Sequence, residues 1–269
     1  MHRFLDFALA QVPSLYSRLV GLRATPNREK VVFLTLLQRD DVVLDVGAHV
    51  GYYTRLFSNL VGRDGRVHAF EPVASSFAAL RREVELGCRY DNVTLNESAL
   101  GETMAAAEMF IPRGDLAQAA LVRHSQGSWA DNGEVESLRC TVDTLDGYVA
   151  RAGIQRLDFV KCDVEGAELC VLRGGEATLR SRRPLLHVEV FAPWTATFGY
   201  RPRDLVRFLE SIGYRHFLLL TEFGHVLPLG ELERFAAAAR ESANLICAPP
   251  ERTERLTRLA RRLGAEVAT

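Results

Sequence analysis

Asp45-Val46-Gly47-Ala48-His49-Val50-Gly51 follows the apolar run Val42-Val43-Leu44 and opens a helical pattern from about Tyr52 to Val61. A buried-strand run, a glycine turn and a helix in that order make the first half of a βαβ unit. Gly47 and Gly51 allow the backbone to turn sharply and to approach a ligand with no Cβ in the way.

Working outward, the same rhythm repeats. Arg66–Phe70 reads as a second strand, closed by Glu71-Pro72, and Ser75–Leu86 as an amphipathic helix closed by Gly87. Strands follow at Val93–Asn96, Leu157–Asp163, Leu185–Phe191, Arg215–Leu220 and Asn244–Ala248, with helices at Leu145–Ala152, Ala167–Arg180 and Pro202–Ile212. Glu108–Ile111 and Glu136–Val142 read as strands around a polar insertion, Gly114–Gly133. The pattern predicts an α/β fold: a seven-stranded, mostly parallel sheet with helices on both faces, carrying a hairpin or loop insertion. Ligands of such sheets bind beyond the carboxyl ends of the strands. That places the candidates at Asp45–Gly51, Glu71, Asn96–Ala99, Asp163–Gly166 and Glu189–Trp194.

Glu71 ends the second strand 20 residues after Gly51, where a carboxylate can accept both hydroxyls of a ribose. The glycine spacing then selects the cofactor. Dinucleotide sites use G-x-G-x-x-G so that a pyrophosphate can rest on a helix N-terminus. Here the pattern is Asp-x-Gly-x-x-x-Gly, with an acid two residues before the first glycine. A cofactor without phosphates and with a positive amino group tolerates that acid, and S-adenosylmethionine is such a cofactor. The expected contacts are Asp45, Gly47, His49, Gly51, Tyr52 and Glu71, with Ser98 and Ala99 beyond the third strand and Asp163 beyond the fourth.

The runs Asp45–Thr54, Phe70-Glu71-Pro72, Thr144-Leu145-Asp146 and Asp158-Phe159-Val160-Lys161-Cys162-Asp163-Val164-Glu165-Gly166-Ala167-Glu168 together resemble the FkbM-type methyltransferases. The Lys-x-Asp-Val-Glu-Gly-x-Glu segment is the most specific of them. The resemblance covers about residues 40 to 192 and implies a class I methyltransferase (Rossmann-like) fold, S-adenosylmethionine as donor and a hydroxyl oxygen as acceptor. The family acts on sugars, polyketides and lipid-linked molecules. His49 departs from it, since the family more often carries Asn there. On this reading residues 1–38 form an N-terminal helical extension, and 39–269 form a single methyltransferase domain.

Methylating an alcohol requires an aligned oxygen and a base within hydrogen-bond reach of its proton. Asp163 and Glu165 after the fourth strand, and Glu189 at the end of the fifth, are the candidate catalytic carboxylates. Lys161, two residues before Asp163, shares its side of the strand and is read as their salt-bridge partner or a direct participant. Asp163 with Glu165 or Glu189 offers oxygen ligands of the kind Mg²⁺ takes, but the metal-site signature is incomplete and no metal is expected. Glu165 also suits the first turn of a helix as a plain N-terminal acid. His187 reads as a core residue, His124 and His225 as loop histidines, and Trp194 with Phe198 as a sugar platform or lid packing. Arg252, Arg255, Arg258, Arg261 and Arg262 read as one solvated face of a C-terminal helix.

Composition narrows the classes. The 269 residues carry 33 basic and 34 acidic side chains, a net charge of -1, with 48% hydrophobic and 25% charged residues. This is globular and lacks the basic excess of many nucleic-acid binders. Only Lys30 and Lys161 are lysines. The five cysteines, Cys88, Cys140, Cys162, Cys170 and Cys247, form no Cys-x-x-Cys and fit a reducing, cytoplasmic setting. Met1–Val20 reads as an amphipathic helix and not as a signal peptide, and no stable membrane insertion is expected. A small-molecule or glycan hydroxyl is the expected partner. The alternatives are a nucleic-acid (RNA) methyltransferase, against which stands the absence of an Asn-Pro-Pro-Tyr-type loop, and an NAD-dependent oxidoreductase, disfavoured by the glycine spacing. Oligomeric state has no signature in the sequence.

Overall fold

The computed structural model describes residues 28–112, 115–125, 127–129, 135–221, 226–227 and 242–264. Met1–Val20 and His225 lie outside them.

Seven strands appear where the sequence predicts them. They are β1 (Val42–Val46), β2 (Arg66–Phe70), β3 (Val93–Asn96), β7 (Phe159–Cys162), β8 (Leu185–Val190), β9 (His216–Thr221) and β11 (Ala243–Ala248), and the two-residue β10 (Val226–Leu227) adds an edge. Their order is β10-β9-β11-β8-β7-β1-β2-β3, with β11 antiparallel to both neighbours and β10 antiparallel to β9. The other pairings are parallel. Chain order reverses between β1 and β7, so the crevice for a ligand opens at their carboxyl ends.

The period-2 alternation of the strands divides the core. Leu44, Val46, Val160 and Cys162 point into one layer. Val43, Phe159 and Leu185 point into the other, under α1 (Arg28–Leu36), α2 (Tyr52–Val61) and α9 (Thr253–Leu263), where Phe33, Phe57 and Leu256 meet them. Asp45, Lys161 and His187 fall on that second face in register with one another, so a row of ionisable groups lies within a strand face that is otherwise apolar.

β4 (Ala99–Leu100), β5 (Ala105–Pro112) and β6 (Val135–Asp143) form a second, three-stranded sheet. A bridge between Phe110 and Ala120 folds the insertion back along β5. Between β2 and β7 stand α3 (Ala74–Gly87) and α4 (Leu145–Arg151).

Two expectations need correction. The helix read over Ala167–Arg180 is two helices, α5 (Glu168–Arg173) and α6 (Glu176–Arg182). A Cβ on Gly174 would stand 2.0 Å from the Gly101 carbonyl oxygen, so the chain breaks where two backbones touch. The Asp146 carboxylate then accepts the amides of Ala177 and Thr178 and restarts the helix. The arginine stripe on α9 is only partly solvated. Arg255 pairs with Asp41 at 2.7 Å and Arg252, just before the helix, with Asp158 at 3.1 Å, which ties this segment to the amino ends of β1 and β7. Past β8 lie α7 (Ala192–Thr197) and α8 (Pro202–Ser211). Among the described residues no helix is long and apolar enough to cross a membrane.

Candidate active site

The glycine loop leaves β1 with Gly47 at φ 80° and Gly51 at φ 86°. Gly47 has no alternative, because a Cβ there would meet the Asp163 carbonyl oxygen at 1.8 Å. His49 is also left-handed, at φ 49°. Asn and His are among the side chains that tolerate this region, which accounts for a histidine at a position where asparagine is common. The amides of Gly47 and Ala48 donate to the Phe70 carbonyl at 3.1 and 2.9 Å. The amide of His49 donates to Glu71 Oε2 at 2.8 Å, and that of Val73 to Glu71 Oε1 at 2.9 Å. Glu71 therefore fixes the loop after β1 to the turn after β2, while each carboxylate oxygen keeps a lone pair. Burial pushes its carboxyl up to about 7.

One cavity of about 250 Å³ joins these parts, with Gly47, His49, Tyr52 and Glu71 along it, Ser98 and Ala99 at one end and Lys161, Asp163 and Glu165 at the other. Leu116, Ala119 and Leu121 of the insertion cover it. Gly51, expected as a contact, is not on it, since a Cβ there would meet Leu80 Cδ1 at 2.7 Å, and Asp45 is brought near but does not line it either. The residue is fully buried, Oδ2 accepts the Thr54 hydroxyl at 2.6 Å, and Oδ1 has no hydrogen-bond partner.

At the β7 end, Lys161 Nζ donates to Asp163 Oδ2 at 2.9 Å. Burial works against the ammonium, but Asp163, Asp45 and Glu29 surround it and keep it charged. Burial likewise opposes the Asp163 carboxylate, but the Lys161 ammonium overrides it and holds the carboxyl below its usual range. Glu165 goes the other way: burial, then the Asp163 charge, push it up to about 10. Burial and the same neighbours raise Glu189, which shares a hydrogen bond with Asp163. Oxygens of Asp163, Glu165 and Glu189 lie within 4.8 Å of one another, a spacing at which acids share protons or a cation. Glu189 joins this group from outside the cavity wall.

Sequence reasoning missed the side chains that shape this end. Glu168 is buried, its Oε1 accepts the amides of Val164 and Gly166 at 3.0 and 3.1 Å, and Tyr200 Oη stands 3.2 Å from Oε2. The clamp holds Glu165 left-handed, at φ 57°. His124 is 7% exposed and no solvated loop histidine. Its Nε2–H donates to the Glu165 carbonyl at 2.9 Å, Nδ1 lies 3.0 Å from Thr197 Oγ1, and its ring stacks on Trp194 at 5.2 Å. Trp194 and Phe198 thus pack against the insertion and do not line the cavity. His187 is a core residue as read, although neither ring nitrogen has a hydrogen-bond partner. Glu29, on α1, had no local signal at all.

A family model for the methyltransferase FkbM domain matches residues 45–216. The chain belongs to the FkbM methyltransferase family. Relatives include the 31-O-demethyl-FK506 methyltransferase FkbM of Streptomyces tacrolimicus, 30% identical over 52% of this chain and 61% of its own. The 2-O-methyltransferase NoeI of Sinorhizobium fredii is 26% identical over 61% of this chain and 70% of its own. The AMB antimetabolite synthetase AmbE of Pseudomonas aeruginosa is 28% identical over 52% of this chain and 8% of its own. The chain thus spans less than two thirds of the FkbM and AmbE relatives. The solved FkbM methyltransferase of Methylobacillus flagellatus superposes with a TM-score of 0.49 at 15% identity, over 86% of this chain and 57% of that one.

The family's cofactor is S-adenosylmethionine, and the residues present fit it. A loop with no room for a Cβ, a buried carboxylate with free lone pairs at the ribose position and an ionised carboxylate at the far end of one cavity match its diol and its positive charge.

Proposed function

We propose that the chain is an O-methyltransferase acting on a hydroxyl of a small molecule or glycan, with a sugar, a polyketide or a lipid-linked alcohol as acceptor. When bound, the cofactor supplies an electrophilic methyl group on a sulfonium. Glu71 holds its ribose, the backbone of Gly47–Val50 lies along it, Tyr52, Ser98 and Ala99 flank it, and Asp163 faces its charged end. Asp45 contributes from beneath the floor, by fixing Thr54 and Lys161.

The observation that carries this reading is the Lys161–Asp163 pair in the cavity wall beside Glu165 and Glu189. It supplies one fixed carboxylate to orient an acceptor hydroxyl, beside two carboxyls that burial and the Asp163 charge push toward the uncharged form. The O-methyltransferase names of the FkbM and NoeI relatives support an oxygen acceptor.

The test is transfer of tritiated methyl from S-adenosylmethionine to a panel of sugar, polyketide and lipid-linked alcohols, with RNA as a competing acceptor. Label in an alcohol that is lost in Asp163→Asn supports the reading. Label in RNA alone, or in an amine alone, overturns it.

A further inference from the structure

The three carboxyls at the ends of β7 and β8 are poor places for an alcohol's proton to go. Asp163 is ionised but engaged by Lys161 and Glu189, Glu165 is pushed up to about 10, and burial with the Asp163 charge raises Glu189 as well. A second route lies next to Lys161. Tyr53 lines the cavity at the start of α2, with its ring 5.6 Å from Lys161 Nζ. Its hydroxyl donates to Glu29 Oε2 on α1, in the segment before the residues that the family model matches. The ring is held by Phe33 at 4.9 Å and by Tyr52 at 5.1 Å. In turn Lys30 sits 5.0 Å over the Tyr52 ring, so the first turn of α1 is docked on both tyrosines. Glu29 keeps 27% of its side chain exposed and so connects to water.

We propose that Tyr53 is a catalytic residue and Glu29 the group acting through it, forming a proton relay that leads from the acceptor hydroxyl to solvent. This rests on the O-methylation reading. The acceptor's proton passes to Tyr53 Oη as the tyrosine's own proton passes to the Glu29 carboxylate, which becomes neutral and later loses it to water. The electron pair left on the acceptor oxygen forms the new bond to the methyl carbon, and the pair of the broken carbon–sulfur bond stays on sulfur. Burial and the adjacent Glu29 charge hold the Tyr53 phenol above its ordinary range, so it serves as a relay and not as a resident phenolate. The groups facing Glu29 are Tyr53 from α2, Lys161 and Asp163 from β7 and its end, Asp45 from β1 and His187 from β8. Burial raises the Glu29 carboxyl and Lys161 opposes that rise.

Two measurements test it together. In protein labelled with ¹³C at the tyrosine ζ carbon, the resonance missing from Tyr53→Phe should shift as Glu29 titrates, and this shift should vanish in Glu29→Gln. A Tyr53 resonance that ignores pH, or titrates unchanged in Glu29→Gln, overturns the relay whatever the acceptor is. In methyl transfer to an alcohol that the wild type accepts, Tyr53→Phe and Glu29→Gln should each lower kcat by about a hundredfold. KM and the Kd for S-adenosylhomocysteine should stay within about threefold, and Glu29→Asp should restore part of kcat with its acid limb moved. Wild-type transfer matched by Tyr53→Phe sinks the relay alone. Wild-type transfer to no alcohol sinks the O-methylation reading, and the relay with it.

Discussion

Glu71 Oε2 accepts the amide proton of His49 at 2.8 Å, so the carboxylate that ends the second strand holds the glycine loop that ends the first. The two parts of the nucleoside site are thereby one unit. The loop cannot move without releasing the carboxylate, and the carboxylate cannot rotate without freeing the loop. Such a site is formed before its ligand arrives, and little binding energy is spent on ordering it.

Glycine at position 47 follows from packing as well as from φ. Gly47→Ala should cost about 3 kcal/mol, since its Cβ would overlap the Asp163 carbonyl in a left-handed backbone. Thermal unfolding should show a Tm lower by roughly 6–12 °C. Gly153→Ala, also at positive φ but with nothing within 4 Å of a Cβ, should cost about 1 kcal/mol. Equal losses for the two would mean that the close approach at Gly47 is not rigid.

Titration of Glu71 should be visible in two ways. Its folded-state value near 7 lies above the unfolded value of about 4.3, so the folded state holds a proton that the unfolded state has lost. Stability from this group is complete below about pH 4.3 and is lost as pH rises to 7, a window that Glu168, also near 7, shares. Binding runs the opposite way, because accepting a ribose diol needs the carboxylate. Affinity for S-adenosylhomocysteine should fall by up to about tenfold per pH unit below 7, and Glu71→Gln should flatten that dependence. A flat wild-type profile between pH 5 and 8 would contradict the ribose role.

Asp163→Asn separates orientation from binding. Lys161 keeps Asp45 and Glu29 around it, so the stability loss should stay at or below about 3 kcal/mol, the low end for a broken buried pair. Turnover should fall about a hundredfold and by clearly more than the affinity for S-adenosylhomocysteine, since the carboxylate serves the acceptor as well as the charged end of the cofactor. Turnover that survives the change removes Asp163 from the chemistry.

Glu168 predicts a contrast between two substitutions. Glu168→Ala leaves the amides of Val164 and Gly166 without an acceptor, a loss of about 3 kcal/mol. Glu168→Gln keeps a carbonyl oxygen there and should recover most of it in the same chemical denaturation experiment. Equal effects would show that charge, and not the hydrogen bonds, holds the turn around Glu165.

The sheet was legible in the sequence because its strands are short apolar runs set between turn residues, and all seven lie within a residue or two of their expected ends. Gly47, His49 and Glu71 fall on the cavity because their signals are local, a glycine turn after a strand and an acid ending the next, whereas Gly51 stands off it and its missing Cβ makes room for Leu80. What escaped was set by contacts distant in sequence. The break at Gly174 depends on the Gly101 backbone, the burial of His124 on Trp194, and the pairing of Arg255 on Asp41. Asp45 shows the limit of motif reading. Strand alternation points it into the layer under α2, so the motif's first acid supports the floor and does not line the cavity. Glu29 reaches Tyr53 across 24 residues from a helix with no motif, and only the packed structure brings the two together.

Calorimetric titration of S-adenosylhomocysteine into the wild type and Glu71→Ala tests the central claim most directly. The account predicts micromolar binding to the wild type and a loss of at least tenfold in the variant, as expected when hydrogen bonds to a charged acceptor worth about 1.5–3 kcal/mol are removed. Equal affinity in the two proteins, or no binding to the wild type, would contradict it.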